Sequence, residues 1–327
     1  MTIDAPNPQL IAFDWGSSRL RAFLLRDGEV LATRESAHGI LHLPRRGPEG
    51  FAEALAALAG DWLARWPHLP LLACGMVGSA QGWREVPYLN CPADLTQLAA
   101  HCLPVDIGPA GTERSLWIVP GVIDDAPGEV PDVMRGEETQ IAGALLTEAC
   151  GAENAKQCFI LPGTHSKWAV VVGGRITHFA TYLTGELYAV LRAHSILGRL
   201  MPAGEAALDV ALDAAAFARG VAFAAQSRPG EMAHQLFSVR TLALAGRLAP
   251  DALPDYLSGL LIGHEIVAAS AKAPSVGLTL IGAPALCARY EQAFAVLGLP
   301  VPQVVDNTAP RGLWRLAKAG GFIAQET

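Results

Sequence analysis

The sequence has no excess of positive charge. It carries 24 Lys and Arg residues against 31 Asp and Glu residues, which gives a formal net charge of −7 at pH 7. A chain of this charge has no basic field that would attract phosphate backbones or anionic lipid headgroups. Nucleic acid and membrane surfaces are therefore not expected as partners.

Long apolar runs and paired cysteines are also lacking. Apolar stretches such as 168–172 and 257–262 fall far short of the roughly 20 residues that span a bilayer. The first residues lack the charged, apolar and small-residue order of a signal peptide, and the six cysteines show no CxxC spacing. We expect reduced thiols, no membrane segment and a cytoplasmic location.

Core-forming residues are abundant instead. The chain is 51% hydrophobic and 17% charged, a composition too apolar for a disordered protein. Its 327 residues are more than a single hydrophobic core usually organises. Two domains are expected, 1–147 and 148–327, with the boundary near 147–155. The last helix is a candidate to pack back on the first domain.

One strand pattern occurs twice along the chain. Apolar runs at 10–13, 19–25 and 29–34 recur as runs at 159–161, 167–172 and 175–180, with Asp27-Gly28 and Gly173-Gly174 as the tight turns. Helical spacing occurs at 49–66, 134–148, 186–197, 209–225, 231–245, 253–271 and 311–318, while 71–76 and 278–281 are predicted strands. The stretch 78–92 has no period and is predicted to be a functional loop. The pattern predicts an α/β protein.

The first loop of each copy has the same chemistry. Asp14-Trp15-Gly16-Ser17-Ser18-Arg19 and Pro162-Gly163-Thr164-His165-Ser166-Lys167 both turn on a glycine, offer hydroxyls and end in a cation, and Ser18 and Ser166 are 148 residues apart. Such loops present N–H groups and hydroxyls to an anion. One such loop is usually an ordinary turn between strands. Two at matching places suggest two halves that face one polyphosphate.

Several longer motifs carry a resemblance to a known family. They are 14–21 (DWGSSRLR), 75–83 (GMVGSAQGW), 133–140 (VMRGEETQ), 162–168 (PGTHSKW), 183–186 (LTGE) and 256–263 (YLSGLLIG). In this order they resemble the 2-dehydro-3-deoxygalactonokinases, of the sugar kinase, Hsp70 and actin superfamily. The resemblance implies a two-domain ribonuclease H-like (actin-like ATPase) α/β fold, in which each domain is a mixed five-stranded sheet flanked by helices and ATP binds in the cleft between them.

The resemblance also assigns roles to residues. It implies that Asp14 holds Mg²⁺, against the alternative of an Asp that satisfies its own turn. The first loop has serines where the superfamily often has threonines, but the hydroxyls remain. The implied phosphate-binding residues are Gly16, Ser17, Ser18, Arg19, Gly163, Thr164, His165, Ser166 and Lys167, and the implied adenosine turn is Gly282, Ala283 and Pro284.

Two acidic residues open the predicted helix at 134–148. Acids in a first turn often only stabilise the helix dipole. Here Glu137 and Glu138 stand just after a glycine, where related sugar kinases carry their catalytic carboxylate. Glu137 is the expected general base and Glu138 the alternative.

The acceptor is expected to bind at the loop 78–92. The candidates are Ser79, Gln81, Trp83 and Tyr88, with Arg135 as a partner for a carboxylate. Packing is an almost equal interpretation for Trp83. A hydrolytic pair of His165 and Ser166 is disfavoured, because adjacent residues of an extended segment point in opposite directions.

The resemblance implies an ATP-dependent kinase that phosphorylates 2-dehydro-3-deoxy-D-galactonate to its 6-phosphate in galactonate catabolism. A kinase of the same fold with another sugar acid or a hexose as acceptor, and a non-catalytic nucleotide or sugar sensor, remain alternatives. ATP and Mg²⁺ are the expected cofactors. The oligomeric state is left open, with a homodimer as one option.

Overall fold

The computed structural model describes residues 7–108, 114–145, 156–202, 213–272 and 277–323. The chain forms two compact units: the first comprises Met1–Asn154, Val172–His178 and Asn307–Thr327, and the second comprises Ala155–Val171 and Phe179–Asp306. The domain boundary expected near 147–155 lies outside the described residues. Among the described residues, no helix is long and apolar enough to cross a membrane.

The main sheet of the first unit has the order β3-β2-β1-β4-β7-β6. Its strands are β1 Leu10–Trp15, β2 Leu20–Arg26, β3 Glu29–Ser36, β4 Leu71–Cys74, β6 Leu103–Asp106 and β7 Ser115–Ile118. The first three strands are antiparallel, and β1, β4 and β7 run parallel. The expectation of five strands is wrong here, because β6 adds an antiparallel edge to β7. This strand is short, only partly buried and contains Pro104, so it carries no strand signal.

A second, three-stranded sheet of this unit has the order β5-β8-β9. Its strands are β5 Leu89–Asn90, β8 Val122–Asp124 and β9 Asp132–Met134. Most of 78–92 is irregular as predicted, but its end pairs as β5. Met134 therefore ends a strand and does not open a helix.

The described residues of the first unit form four α-helices: α1 Pro48–Arg65, α2 Leu95–Ala100, α3 Glu137–Ala144 and α10 Ala309–Ala319. Helix α1 begins with a proline at its first turn, and Phe51, Leu55 and Trp62 bury its apolar face on the sheet. Helix α10, although last in the chain, packs closely on α3. A Cβ added at Gly312 would lie 1.9 Å from the Thr139 carbonyl oxygen.

The sheet of the second part of the chain has the order β12-β11-β10-β13-β14. Its strands are β10 Gln157–Leu161, β11 Ser166–Val172, β12 Arg175–Tyr182, β13 Leu278–Ile281 and β14 Gln303–Val305. Strands β10 and β11 are antiparallel, and β10, β13 and β14 are parallel. The hairpin with parallel partners thus occurs twice, as the sequence predicts.

The helices of the second unit pack on that sheet and on one another. They are α4 Thr184–His194, α5 Ala214–Ala224, α6 Met232–Leu236, α7 Ser238–Leu244, α8 Leu253–Ser270 and α9 Pro284–Val296. The single helix predicted over 231–245 is two helices that meet at Phe237. Phe237 keeps a right-handed helical backbone conformation. The two helices are therefore separated by an interruption of the helical hydrogen bonds and not by a change in the conformation of Phe237. The start of the helix predicted over 209–225 cannot be compared, because residues 209–212 lie outside the described part of the chain.

Candidate active site

The first hairpin loop, residues 16–19, connects β1 and β2. Asp14 stands one residue before the end of β1 and pairs in register with Arg21 of β2. Arg21 Nη2 donates to Asp14 Oδ2 at 2.6 Å. Burial raises the pKa of the Asp14 carboxyl, and the charge and hydrogen bond of Arg21 oppose that rise. The carboxyl group is thus mostly buried and has a cationic partner.

The side chains of this loop differ in exposure. Ser18 and Arg19 are exposed, while Gly16 and Ser17 are partly buried. The Arg19 side chain is 72% exposed and bonds Glu35 at 2.9 Å. Backbone bonds fix the loop, since Ile40 N–H donates to Gly16 O at 3.1 Å. The serine hydroxyls therefore lie on an ordered turn.

Glu138 is completely buried, with 0% exposure. Its Oε2 accepts from the Gly136 N–H at 2.6 Å, and its Oε1 accepts from the Thr139 hydroxyl at 2.8 Å. Burial, and then the charge of Glu137, raise the pKa of Glu138 to about 7. Glu137 is only partly buried and accepts from the Arg135 N–H at 3.0 Å. Only Glu137 of this pair retains surface for a ligand.

Asp14 and Glu138 lie in one neighbourhood around the buried thiol of Cys74. Burial raises the pKa of Cys74 well above its usual range, and the charges of Asp14 and then Glu138 raise it further. Cys74 ends β4 directly beside Asp14 of β1. A Cβ added at Gly136 would lie 3.3 Å from Gly75 Cα, so the start of α3 approaches the end of β4 closely. Parallel strands thus bring the carboxylates predicted from distant segments to one edge of the sheet.

The described residues contain no cluster of three or more His, Cys, Asp or Glu side chains placed to hold a metal ion. Mg²⁺ does not require such a cluster in kinases, because it takes one or two carboxylates, several waters and the phosphates of the nucleotide. Arg21 bonds one oxygen of Asp14. A site with this one carboxylate fits Mg²⁺ held largely through water.

Arg135 is the most unusual side chain of the acceptor region. It is 8% exposed, and its guanidinium carbon lies 4.3 Å from the centroid of the Tyr88 ring. Nη2 donates to Val86 O at 2.8 Å, but the buried Nε and Nη1 have no hydrogen-bond partner. A Cβ added at Gly78 would lie 2.9 Å from Nη1. The stretch 78–92 and Arg135 are therefore brought together, with donors left over for an anion.

The other acceptor candidates differ in their surroundings. The Ser79 hydroxyl donates to Met76 O at 2.8 Å, and Gln81 is exposed. Trp83 stacks on Phe51 with ring centroids 5.7 Å apart and packs on the core of the first unit. Packing is therefore the observed role of Trp83.

The second hairpin loop, residues 162–166, connects β10 and β11. Thr164 and His165 are exposed, and Gly163 is partly buried. The imidazole Nε2 of His165 lies 2.5 Å from Glu186 Oε2. Ser166 and Lys167 are buried and, as neighbours on a strand, point to opposite faces of the sheet.

Both buried residues have partners within the second unit. The Ser166 hydroxyl donates to Glu265 Oε1 at 2.6 Å, and Lys167 Nζ donates to Thr181 Oγ1 at 2.6 Å. The predicted turn at Gly282 lies beside this loop, because a Cβ added at Gly282 would be 3.6 Å from Pro162 O. Ala283 precedes helix α9, which begins at Pro284. The second unit thus brings the second loop and the predicted adenosine turn together.

Glu265 is a residue that the sequence reasoning missed. It lies on α8, two positions beyond the motif at 256–263, and is 3% exposed. A carboxylate among the mostly apolar residues of 259–269 was the available signal, because a buried charge requires partners.

Comparison with known proteins agrees with this architecture. The two hairpin-led mixed sheets define the class as an α/β protein of two compact units. The family model described as 2-keto-3-deoxy-galactonokinase matches residues 14–316. The chain therefore belongs to the 2-keto-3-deoxy-galactonokinase family and is a kinase, an enzyme that uses ATP, generally with a divalent metal.

Individual relatives cover almost the whole chain. A 2-dehydro-3-deoxygalactonokinase of Escherichia coli (strain K12) is 35% identical over 91% of this chain and 94% of its own length. A probable 2-dehydro-3-deoxygalactonokinase of Rhizobium meliloti (strain 1021) is 36% identical over 94% and 96%. A crystal structure of a Sinorhizobium meliloti protein, assigned provisionally to that activity, superposes with a TM-score of 0.78 at 33% identity, covering 95% of this chain and 98% of that one.

Proposed function

We propose that this kinase transfers the γ-phosphoryl group of ATP to the terminal hydroxyl of 2-dehydro-3-deoxy-D-galactonate and so forms the 6-phosphate. The observation that carries the choice of a sugar acid is Arg135, a buried cation with two partnerless nitrogens. Such a group is costly to leave unpaired, and a carboxylate would satisfy it. Family membership supports the same acceptor.

The first unit supplies the acceptor side of the reaction. Arg135 and Tyr88 hold the carboxylate end of the acid, with Ser79 and Gln81 close in sequence to Gly78 at the Arg135 tip. Glu137 acts as the general base for the terminal hydroxyl, because it is the member of the acidic pair that is only partly buried. Asp14 would hold Mg²⁺, which when bound neutralises phosphate charge.

The second unit supplies the nucleotide side. Backbone and side-chain donors of Gly163, Thr164 and His165 bind phosphate, and Lys167 contributes a buried positive charge near the loop. Gly282, Ala283 and Pro284 let the adenosine approach the backbone closely. In the first unit, Gly16, Ser17, Ser18 and Arg19 are the corresponding phosphate-loop donors.

A cytoplasmic location is part of the proposal. The described cysteines are all free thiols, as expected in a reducing compartment. ATP as phosphoryl donor is consistent with the same compartment.

The decisive experiment is a coupled assay of ADP release over a panel of sugars. We expect 2-dehydro-3-deoxygalactonate to exceed galactose and glucose by orders of magnitude in kcat/KM. Arg135→Met should narrow that gap, whereas Arg84→Met, in the same stretch 78–92, should leave it unchanged. Equal use of galactose would overturn the acceptor and leave a hexose kinase.

The general base is tested separately. Glu137→Gln should lower kcat by roughly 10²- to 10⁴-fold, the usual contribution of a general base. Affinity for ATP, measured by calorimetry, should stay close to that of the wild type. If Glu137→Gln turned over at the wild-type rate, the role of general base would move to Glu138. If the wild-type protein bound ATP but phosphorylated none of the sugar acids, a nucleotide sensor would be favoured.

A further inference from the structure

Glu265 accepts hydrogen bonds from four side chains on three elements. Oε1 accepts from the Ser166 hydroxyl at 2.6 Å and from the Trp168 indole N–H at 2.8 Å. Oε2 accepts from the Tyr290 hydroxyl at 2.7 Å and from the Thr184 hydroxyl. The donors come from β11, α9 and the first residue of α4, so one carboxylate joins three elements to α8.

This network lies directly behind the second hairpin loop. Ser166 is both a loop residue and the first residue of β11. The first turn of α4 also contacts the loop, since Glu186 N–H donates to Thr164 O at 2.9 Å. A Cβ added at Gly185 would lie 2.3 Å from Gly163 O. The loop is therefore held between α4 and the strand that Glu265 anchors.

The arrangement goes beyond what packing requires. Burial raises the pKa of the Glu265 carboxyl, and the four hydrogen bonds oppose that rise. A buried carboxylate is destabilising unless it is fully bonded, and a well-packed apolar residue would often serve stability equally well. What an apolar residue could not do is fix the orientation of Ser166 and Thr184 at once.

We infer that Glu265 is a positioning residue for nucleotide binding: it sets the conformation of the second hairpin loop through Ser166 and Thr184. The inference rests on the proposed nucleotide role of that loop. Glu265 itself touches neither substrate, and its effect is transmitted through the loop amides and hydroxyls.

The test measures binding of a non-hydrolysable ATP analogue by calorimetry together with steady-state kinetics. In Glu265→Gln the amide must donate where the carboxylate accepted. The Trp168 N–H can only donate, so the hydroxyls of Thr184 and Tyr290 must turn to accept from the amide. We expect the KM for ATP and the dissociation constant of the analogue to rise by about tenfold or more, while the KM for the sugar acid stays within about twofold.

Asp255→Asn is the matched control. Asp255 is a partly buried carboxylate on the same helix, but its partner is Arg289, at 2.7 Å, and not a residue of the loop. It should lower the melting temperature and leave both KM values unchanged. A Glu265→Gln variant with lowered stability and unchanged ATP affinity would overturn the inference.

Thr184→Val keeps the test decisive if Glu265→Gln does not fold. It removes one donor to Glu265 and should raise the dissociation constant of the ATP analogue severalfold, with the KM for the sugar acid unchanged. An unaltered affinity for the analogue would count against the inference. Wild-type protein that bound no ATP analogue would instead overturn the proposed function on which the inference rests.

Discussion

The two hairpin loops are supported in different ways. Backbone groups hold the first loop, whose carbonyls at Gly16 and Ser17 accept from the amides of Ile40 and Leu41. The second loop has one such backbone bond, from the Glu186 N–H to Thr164 O, and is also held by side chains, through Glu265 and its donors. Backbone support does not require the hydroxyls of Ser17 and Ser18, whereas side-chain support uses the Ser166 hydroxyl internally. Similar motifs in two halves of a chain therefore need not use matching residues in the same way.

The register of the hairpins explains part of the difference. The last paired residues are Trp15 and Leu20 in the first hairpin and Leu161 and Lys167 in the second. The second connection is thus one residue longer. Lys167 occupies the place of the buried Leu20, and the exposed Arg19 has no direct counterpart.

The strongest way to break either support is to add a single methyl group. A Cβ added at Gly39 would lie 2.3 Å from Ser17 O, and one at Gly185 would lie 2.3 Å from Gly163 O. Gly39→Ala and Gly185→Ala should each lower the free energy of unfolding by about 3 kcal/mol, because backbone must move in both. Urea denaturation measures this.

Gly60→Ala is the control for both variants. Gly60 lies within α1, with no atom near an added Cβ, so alanine should raise stability by up to about 1 kcal/mol. If Gly39→Ala or Gly185→Ala were as stable as Gly60→Ala, the close approach of that glycine to its loop would be wrong.

The buried carboxylates of Glu138 and Glu265 can be compared through the pH dependence of stability. Glu138 accepts hydrogen bonds from the Gly136 N–H and the Thr139 hydroxyl but has only one side-chain donor, against four for Glu265. Its pKa is about 7 in the folded protein against 4.5 ordinarily, so the folded state binds more protons between these values. Wild-type stability relative to Glu138→Gln should therefore fall by roughly 3 kcal/mol as pH rises from 4.5 to 7.

Thermal unfolding of both proteins across that range measures the effect. Thr139→Val removes a hydrogen bond that favours the ionised carboxylate, so the fall should move to higher pH. Parallel stability curves for wild type and Glu138→Gln would contradict the raised pKa of Glu138.

The smallest expected effects concern the two cations. Lys167→Met should raise the KM for ATP by about tenfold, because a buried charge acts in a low dielectric. Arg19→Met should change it by less than about threefold, because the Arg19 side chain is 72% exposed and already pairs with Glu35. Equal effects in steady-state kinetics would mean that the 148-residue spacing does reflect equivalent roles.

The sequence carried enough signal to predict the hairpins and the long helices. Their apolar periods are strong because each buries one face, as Phe51, Leu55 and Trp62 do on α1. Strands β5 and β6 could not be predicted, since two- and four-residue edge strands have no period, and β6 contains a proline.

The site was predictable where a motif fixes the backbone and unpredictable where tertiary contact decides. Asp14 and the Glu137-Glu138 pair follow from strand and helix ends, whereas their meeting near Cys74 depends on the parallel pairing of β1 with β4. The burial of Ser166 and Lys167 depends on a one-residue difference in loop length. Glu265 lies 97 to 99 residues from its partners on β11, a separation beyond local pattern.

The return of α10 to the first unit affects how the chain folds during synthesis. The first unit contains residues from the start and from 307 onwards, so a ribosome releases all of the second unit before the first is complete. Until then α3 lacks the helix that lies against its Thr139 and Gly143, so one face of this mostly buried helix, whose buried residues include Ile141 and Ala142, is uncovered. A nascent chain halted before Asn307 would expose this apolar face to chaperones, whatever the stability of the finished protein.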